Sequence, residues 1–299
     1  MNEKNITYSE TFFSAQGEGQ YIGIPSLWLR LFACNLQCNG FGQDDPTDPS
    51  TYDLPYERID INDISQVEDL PVFSKGCDSS YTWSKKYKHL MREKSAADLA
   101  AELKELLPTG SFTHSKSGQP IHMVFTGGEP MLKRNQVAML SVLQELEKQV
   151  DRPKFVTVET NGTQPVGKDL ALWIQKNSIS AQPTEWFWSV SPKLWSTAGE
   201  KPTKAIKPEI VAKYADGNFF NGQLKFVVNG SQQSWQEVAD HTAAFRDAGV
   251  DWPVWIMGVG GTVEGLKLTE ADIADEAIQL GYNYTSRVHC HIYGNAIGK

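Results

Sequence analysis

Short apolar runs alternate with amphipathic stretches along most of the chain. Six runs have the length and the β-branched or aromatic content of strands: 26–32 (SLWLRLF), 121–125 (IHMVF), 155–158 (FVTV), 187–190 (FWSV), 224–228 (LKFVV) and 254–257 (VWIM). Helical patterns lie between most of them. Ser95 with Asp98 three residues on reads as a capping box ahead of Leu99, Leu103 and Leu106 on one face. Val137, Leu140, Leu143 and Leu146 form a second stripe, and Trp235, Val238, Thr242 and Phe245 a third. Thr269 with Asp272 is expected to cap a fourth helix ahead of Ile273, Ala277 and Leu280. This alternation predicts an α/β domain of parallel strands and crossover helices, built as a barrel, a partial barrel or a doubly wound sheet. In a barrel of this kind the chemistry sits at the C-terminal strand ends.

One segment breaks the pattern. Residues 39–76 carry nine acidic side chains against Arg58 and Lys75, a net charge of −7, together with Pro46, Pro49, Pro55 and Pro71. It reads as an inserted loop or small subdomain in a single domain spanning 1–299. Either a solvated excursion or a lid or docking surface fits that composition.

Composition narrows the function classes. Of the 299 residues, 40% are hydrophobic and 21% charged, enough to build a sizeable core, which excludes global disorder. No stretch approaches the roughly 18 consecutive apolar residues of a membrane helix. The opening MNEKNITYSE lacks the apolar region of a secretory signal, so a cytoplasmic location is expected. A net charge of −8 argues against a surface that grips nucleic acid. The four cysteines, Cys34, Cys38, Cys77 and Cys290, are too sparse for a disulfide scaffold. Cys34 and Cys38 are either a pair of buried small hydrophobes or part of a metal site.

The remaining candidate chemistry falls where strands end. Gln16-Gly17-Glu18-Gly19 precedes a strand that carries Arg30 and runs into Cys34; its glycines allow close backbone approach, and Gln16, Glu18 and Arg30 can read a polar heterocycle and a carboxylate. Thr126-Gly127-Gly128-Glu129-Pro130 follows IHMVF, and Glu129 offers an acceptor for an ammonium. Cys77-Asp78-Ser79-Ser80-Tyr81-Thr82-Trp83 follows the acidic segment; Glu159-Thr160-Asn161-Gly162-Thr163 follows FVTV, and Ser191-Pro192-Lys193 follows FWSV.

Taken in order, QGEG, Arg30, the clustered cysteines, CDSSYTW, TGGEP, ETNGT, SPK and His289 resemble the radical S-adenosylmethionine (SAM) enzymes and, among them, the 7-carboxy-7-deazaguanine synthase family. The resemblance spans nearly the whole chain and implies the partial (β/α) barrel of the radical SAM type. The family pattern is Cys-x3-Cys-x2-Cys, and the third position here is Phe41, which cannot ligate iron. Residues 39–76 are therefore read as interrupting the motif, with Cys77 supplying the third thiolate because CDSSYTW matches the expected continuation. Lengthening the spacer from two residues to 38 costs roughly 2.5–3 kcal/mol of loop closure.

The resemblance implies a [4Fe–4S] cluster on Cys34, Cys38 and Cys77, with one iron left open for SAM. It places Gly76, Cys77, Asp78, Gly128, Glu129, Glu159, Ser191, Pro192 and Lys193 around SAM. Ala15, Gln16, Gly17, Glu18, Arg30, Thr126 and His289 fall on the substrate, 6-carboxy-5,6,7,8-tetrahydropterin, and Ser79 on Mg²⁺. A flavodoxin or ferredoxin as electron donor and a homodimer are implied in the same way. Three other readings remain: another small radical SAM enzyme such as a glycyl-radical activase, a cluster-less binding protein on the same fold, and a zinc site of the three cysteines with a histidine.

Overall fold

The computed structural model describes residues 5–216 and 220–299; residues 1–4, the start of the N-terminal stretch read above, and 217–219 lie outside the described residues. The strands, in chain order, are β1 (Ile6–Ala15), β2 (Pro25–Leu31), β3 (Arg92–Lys94), β4 (His122–Gly127), β5 (Phe155–Thr160), β6 (Glu185–Val190), β7 (Phe220–Val228), β8 (Val254–Gly258) and β9 (Asn283–Tyr284). They form one sheet in the order β3-β1-β2-β4-β5-β6-β7-β8-β9. From β2 onward every neighbouring pair is parallel. β1 pairs antiparallel with both β2 and β3. β3 and β9 stand at opposite ends, so the sheet is an open, partial barrel, as expected.

All six strand readings hold. β4 is buried from His122 to Thr126 and β6 from Trp186 to Val190, the continuous burial that parallel strands covered on both faces require. Helices Ala96–Leu106, Lys133–Gln149, Lys168–Ser178, Gln232–Asp247 and Val263–Gln279 place apolar side chains in the same core as Trp186, Trp188, Phe125 and Phe226. Ser95 caps the first of them, accepting from the Asp98 amide at 3.1 Å.

Two helix readings need correction. On Lys133–Gln149 the buried face is Asn135, Gln136, Ala138, Met139, Val142, Leu143 and Leu146, whereas Val137 is 62% exposed. Asn135 and Gln136 turn inward because their amides bond backbone carbonyls of Phe32, Glu129, Met131 and Pro165. That rotates the helix away from its apolar count. The helix expected to start at Thr269 begins earlier, at Val263, with Thr262 as its cap accepting from the Gly265 amide at 3.2 Å. Thr269 therefore lies inside the helix, and Leu280 is its exposed C-cap. β1 had no counterpart among the strand readings.

The acidic segment is a folded unit. Short helical turns at Pro49–Thr51, Pro55–Arg58 and Val67–Asp69 surround a separate apolar cluster in which Tyr56, Val67, Leu70 and Phe73 pack with Tyr81, Tyr87 and Leu90. Its two ends meet where the Gly76 amide donates to the Phe41 carbonyl at 2.7 Å. Among the described residues, no helix is long and apolar enough to cross a membrane.

Candidate active site

The chain leaves β2 through Ala33, which is left-handed at φ 80°, and enters the loop carrying Cys34 and Cys38. That loop is tied to the end of β4: the Gly128 amide donates to Leu31 at 3.2 Å and the Glu129 amide to Ala33 at 2.8 Å. A Cβ on Gly128 would lie 2.3 Å from the Ala33 oxygen, so the approach requires glycine. The Cys77 arm joins the same corner, because the Ala33 amide donates to the Thr82 carbonyl at 2.7 Å. All three cysteines line one cavity of about 280 Å³, and none is in a disulfide. Cys290 is buried and does not line it. Phe41, at the family's usual third-cysteine spacing, packs in the apolar cluster with Leu36, Cys38 and Cys77, its ring 5.8 Å from Lys193 Nζ.

Burial sets the chemistry of these thiols. It pushes Cys34 up to about 12, with the Glu129 carboxylate adding to the shift. Burial likewise holds Cys38 well above its ordinary value and raises Cys77. Without a compensating cation the three stay neutral; a bound metal centre draws them into the thiolate form. Among the described residues, no three His, Cys, Asp or Glu side chains converge as closely as a single ion requires. Cys34, Cys38 and Cys77 share one apolar cluster at the cavity and could hold a [4Fe–4S] cluster, and Cys290 does not line that cavity.

The groups read as SAM contacts divide in two. Gly76, Cys77, Asp78, Gly128, Glu159, Ser191 and Lys193 line the cavity, and Lys193 Nζ donates to Ser191 Oγ at 2.9 Å. Glu129 and Pro192 do not line it. Glu129 is fully buried, and its carboxylate accepts from the Met131 amide (2.8 Å), Thr160 Oγ1 (2.6 Å) and the Asn161 amide (2.8 Å). Burial raises its pKa against the pull of those bonds. Its side chain thus holds the TGGEP turn to the end of β5 rather than facing a ligand.

Ala15, Gln16, Gly17, Glu18, Arg30, Thr126 and His289 all line the cavity. Register brings them together: Arg30 lies opposite Thr126 across β2 and β4. Glu159 accepts from Gln16 Nε2 at 3.3 Å and Thr126 Oγ1 at 3.0 Å. The QGEG turn meets the C-terminal segment where the Val288 amide donates to Gly17 at 3.0 Å. Arg30 gives only Nε to Glu10, at 2.6 Å, and stands 5.9 Å from the Phe12 ring centroid. Its two terminal nitrogens carry no hydrogen bond among the described residues, so the flat edge that reads a carboxylate is free. Burial lowers His289 to about 4, with the Arg287 charge adding to it, so its ring is neutral at pH 7.

Charged groups outside the motifs join those within them. Glu18 is paired with Lys225 and, at 3.0 Å, with Arg287. Burial alone would raise its pKa, but Lys225, Arg287 and His289 outweigh it and hold the carboxylate ionised. Arg287 also reaches Asp78 at 2.6 Å, linking the substrate side to the Cys77 arm. Glu10 and Tyr81 set the Arg30 side chain, Tyr81 Oη donating to Glu10 at 3.0 Å. Glu200 accepts from the amides of Gln37 and Cys38. A lysine inside the apolar run LKFVV was the readable signal for Lys225, since an unpaired ammonium is almost never fully buried. Ser79 lines the cavity, its hydroxyl 3.5 Å from the Cys77 sulfur, and by itself it forms no magnesium site.

No known family model matches the chain. Among curated proteins, it is 28% identical to a 7-carboxy-7-deazaguanine synthase of Halobacterium salinarum, covering 97% of this chain and 91% of that one. It is 25% identical to synthases of the same name from Rhodopirellula baltica, covering 99% and 90%, and from Pyrobaculum aerophilum, covering 97% and 96%. Among solved structures, QueE from Escherichia coli superposes with a TM-score of 0.51 over 95% of each chain at 17% identity, a likeness of fold.

Proposed function

We infer that the chain is a radical SAM enzyme, a 7-carboxy-7-deazaguanine synthase that contracts 6-carboxy-5,6,7,8-tetrahydropterin with release of ammonia. The observation that carries this reading is the meeting of Cys34, Cys38 and Cys77 with Gln16, Arg30 and Thr126 in one cavity. The near full-length similarity to synthases of that name supports it. When bound, the cluster and SAM supply a one-electron cleavage that makes an organic radical able to abstract a substrate hydrogen.

The chain's own residues bind, orient and shield. Arg30 offers its free guanidinium edge to the substrate carboxylate, and Glu10 with Tyr81 fixes the direction of that edge. Gln16 and Thr126, both held by Glu159, present polar groups to a flat heterocycle. Neutral His289 stands beside Gly17, where a Cβ would come within 2.0 Å of its Nδ1. Gly128, Asp78, Ser191 and Lys193 line the same cavity and would hold SAM beside the cysteines. Phe73 and Val72 of the insertion and Ile297 of the C-terminal segment also line the cavity, and these apolar walls keep water from a reactive intermediate.

Mg²⁺ at Ser79, a flavodoxin or ferredoxin as reductant, a homodimer and a cytoplasmic location belong to the same reading. An ion at Ser79 would take most of its shell from water and substrate oxygens. The test is anaerobic incubation with SAM, a reductant and carboxytetrahydropterin, with 7-carboxy-7-deazaguanine read by mass. Deoxyadenosine without that product would move the chain to another radical SAM activity, such as a glycyl-radical activase. Absence of a cluster in the reconstituted protein would favour a binding protein on the same fold.

A further inference from the structure

Glu200 stands outside the cavity, behind the cysteine loop, and is 6% exposed. It follows Gly199, left-handed at φ 69°, where the chain packs on the start of the insertion and the Gly40 amide donates to Ala198 at 3.0 Å. One carboxylate oxygen, Oε1, accepts from two backbone amides, Gln37 at 2.7 Å and Cys38 at 2.9 Å. The other, Oε2, meets Lys204 Nζ at 3.1 Å, and that lysine side chain is 52% exposed.

Two consequences follow for a cluster bound through Cys38. The first is mechanical. Cys38 is left-handed at φ 53°, a conformation that a residue with a Cβ adopts only when its surroundings enforce it, and the two bonds to Glu200 do so. The second is electrostatic. Hydrogen bonds to the sulfurs and local net charge set the potential of an iron–sulfur cluster. Here two amides of the ligand loop point to a carboxylate instead of a sulfur, and a negative charge stands beside Cys38. Both effects oppose the arrival of an electron. Lys193 faces the cysteines from the cavity side and acts in the opposite sense, and Lys204 partly offsets Glu200 from the solvent side.

We propose that Glu200 is a positioning residue that braces the Cys38 loop and lowers the reduction potential of the cluster, with Lys204 as its counterweight. This rests on the cluster reading above. A lower potential makes the reduced cluster a stronger donor, which is what cleavage of a sulfonium bond demands.

The experiment is anaerobic reconstitution followed by iron and sulfide analysis and a redox titration monitored by electron paramagnetic resonance. Glu200→Gln keeps an oxygen for both amides and removes the charge, so it should load iron as the parent does and titrate at a more positive potential. Lys204→Met, a change at an exposed side chain, should move the potential the other way. Glu200→Ala removes the brace and should lower iron content. Full loading with unmoved potentials in both Glu200→Gln and Lys204→Met overturns the proposal and leaves the functional reading intact. A parent protein that takes up no cluster overturns the functional reading and this proposal with it.

Discussion

The two arms that carry the cysteines reach the same cavity by opposite routes. Cys34 and Cys38 sit on a loop held by the ends of β2 and β4 and by Glu200, so the main core places them. Cys77 comes at the end of a 38-residue excursion with its own apolar cluster around Tyr56 and Phe73. Loop closure over that length is roughly 2.5–3 kcal/mol costlier than over two residues, and the packing of the excursion on itself offsets it. A ligand can thus be fixed by a local core as well as by the principal one, provided the local core closes at its neck.

The two arms should be most alike at the sulfur itself. Cys77→Ala should lose nearly all of the roughly four irons of a [4Fe–4S] centre, as Cys34→Ala should, by iron analysis after reconstitution. Such a result would make the arms equal in function although unequal in construction. Phe73→Ala strikes one arm alone. Deleting a buried phenylalanine costs about 3–5 kcal/mol, here borne by a small satellite cluster. Limited proteolysis should then cut within 39–76, and iron loading should fall, while far-ultraviolet circular dichroism keeps the signal of the sheet.

Acid should weaken the sheet side. Burial of His122, which stacks on Phe155 at 4.6 Å in the first position of β4, lowers its pKa to about 4. The unfolded chain therefore binds more protons than the folded one between about pH 6.5 and 4, and stability falls as pH drops through that window. The full shift is worth about 3 kcal/mol. Thermal midpoints should fall across it in the parent and fall less in His122→Phe; an equal fall would rule His122 out. The smallest effect concerns the cavity that both arms share. Arg30→Lys keeps a charge near Glu10 but loses the planar edge, and KM for the pterin should rise about tenfold with iron content unchanged.

Much of this was legible in the sequence, for a physical reason in each case. Parallel strands buried on both faces read as plain apolar runs, so IHMVF and FWSV declared themselves. Cys77 was findable because CDSSYTW keeps its local pattern wherever the preceding segment wanders. β1 was missed because ITYSETFFSA buries Ser9 and Glu10 inside a hairpin, which spoils its apolar signal. The face of Lys133–Gln149 was misread because Asn135 and Gln136 are held inward by carbonyls from other segments. Glu10, Glu200 and Arg287 were invisible for a related reason: each meets groups from distant segments, Tyr81 for Glu10, the Gln37 and Cys38 amides for Glu200 and Asp78 for Arg287. Glu129 was recognised as part of the site, yet its carboxylate serves the turn because three protein donors already surround it.

The bond between Gly76 and Phe41 has an implication for engineering. Since the acidic unit departs and returns through adjacent backbone positions, an insert at its exposed Asp60–Asp63 stretch would leave both the neck and the packed Tyr56–Phe73 cluster in place. A sensor or affinity tag grafted there would sit on the arm that delivers Cys77 to the cavity while the loop of Cys34 and Cys38 stays untouched.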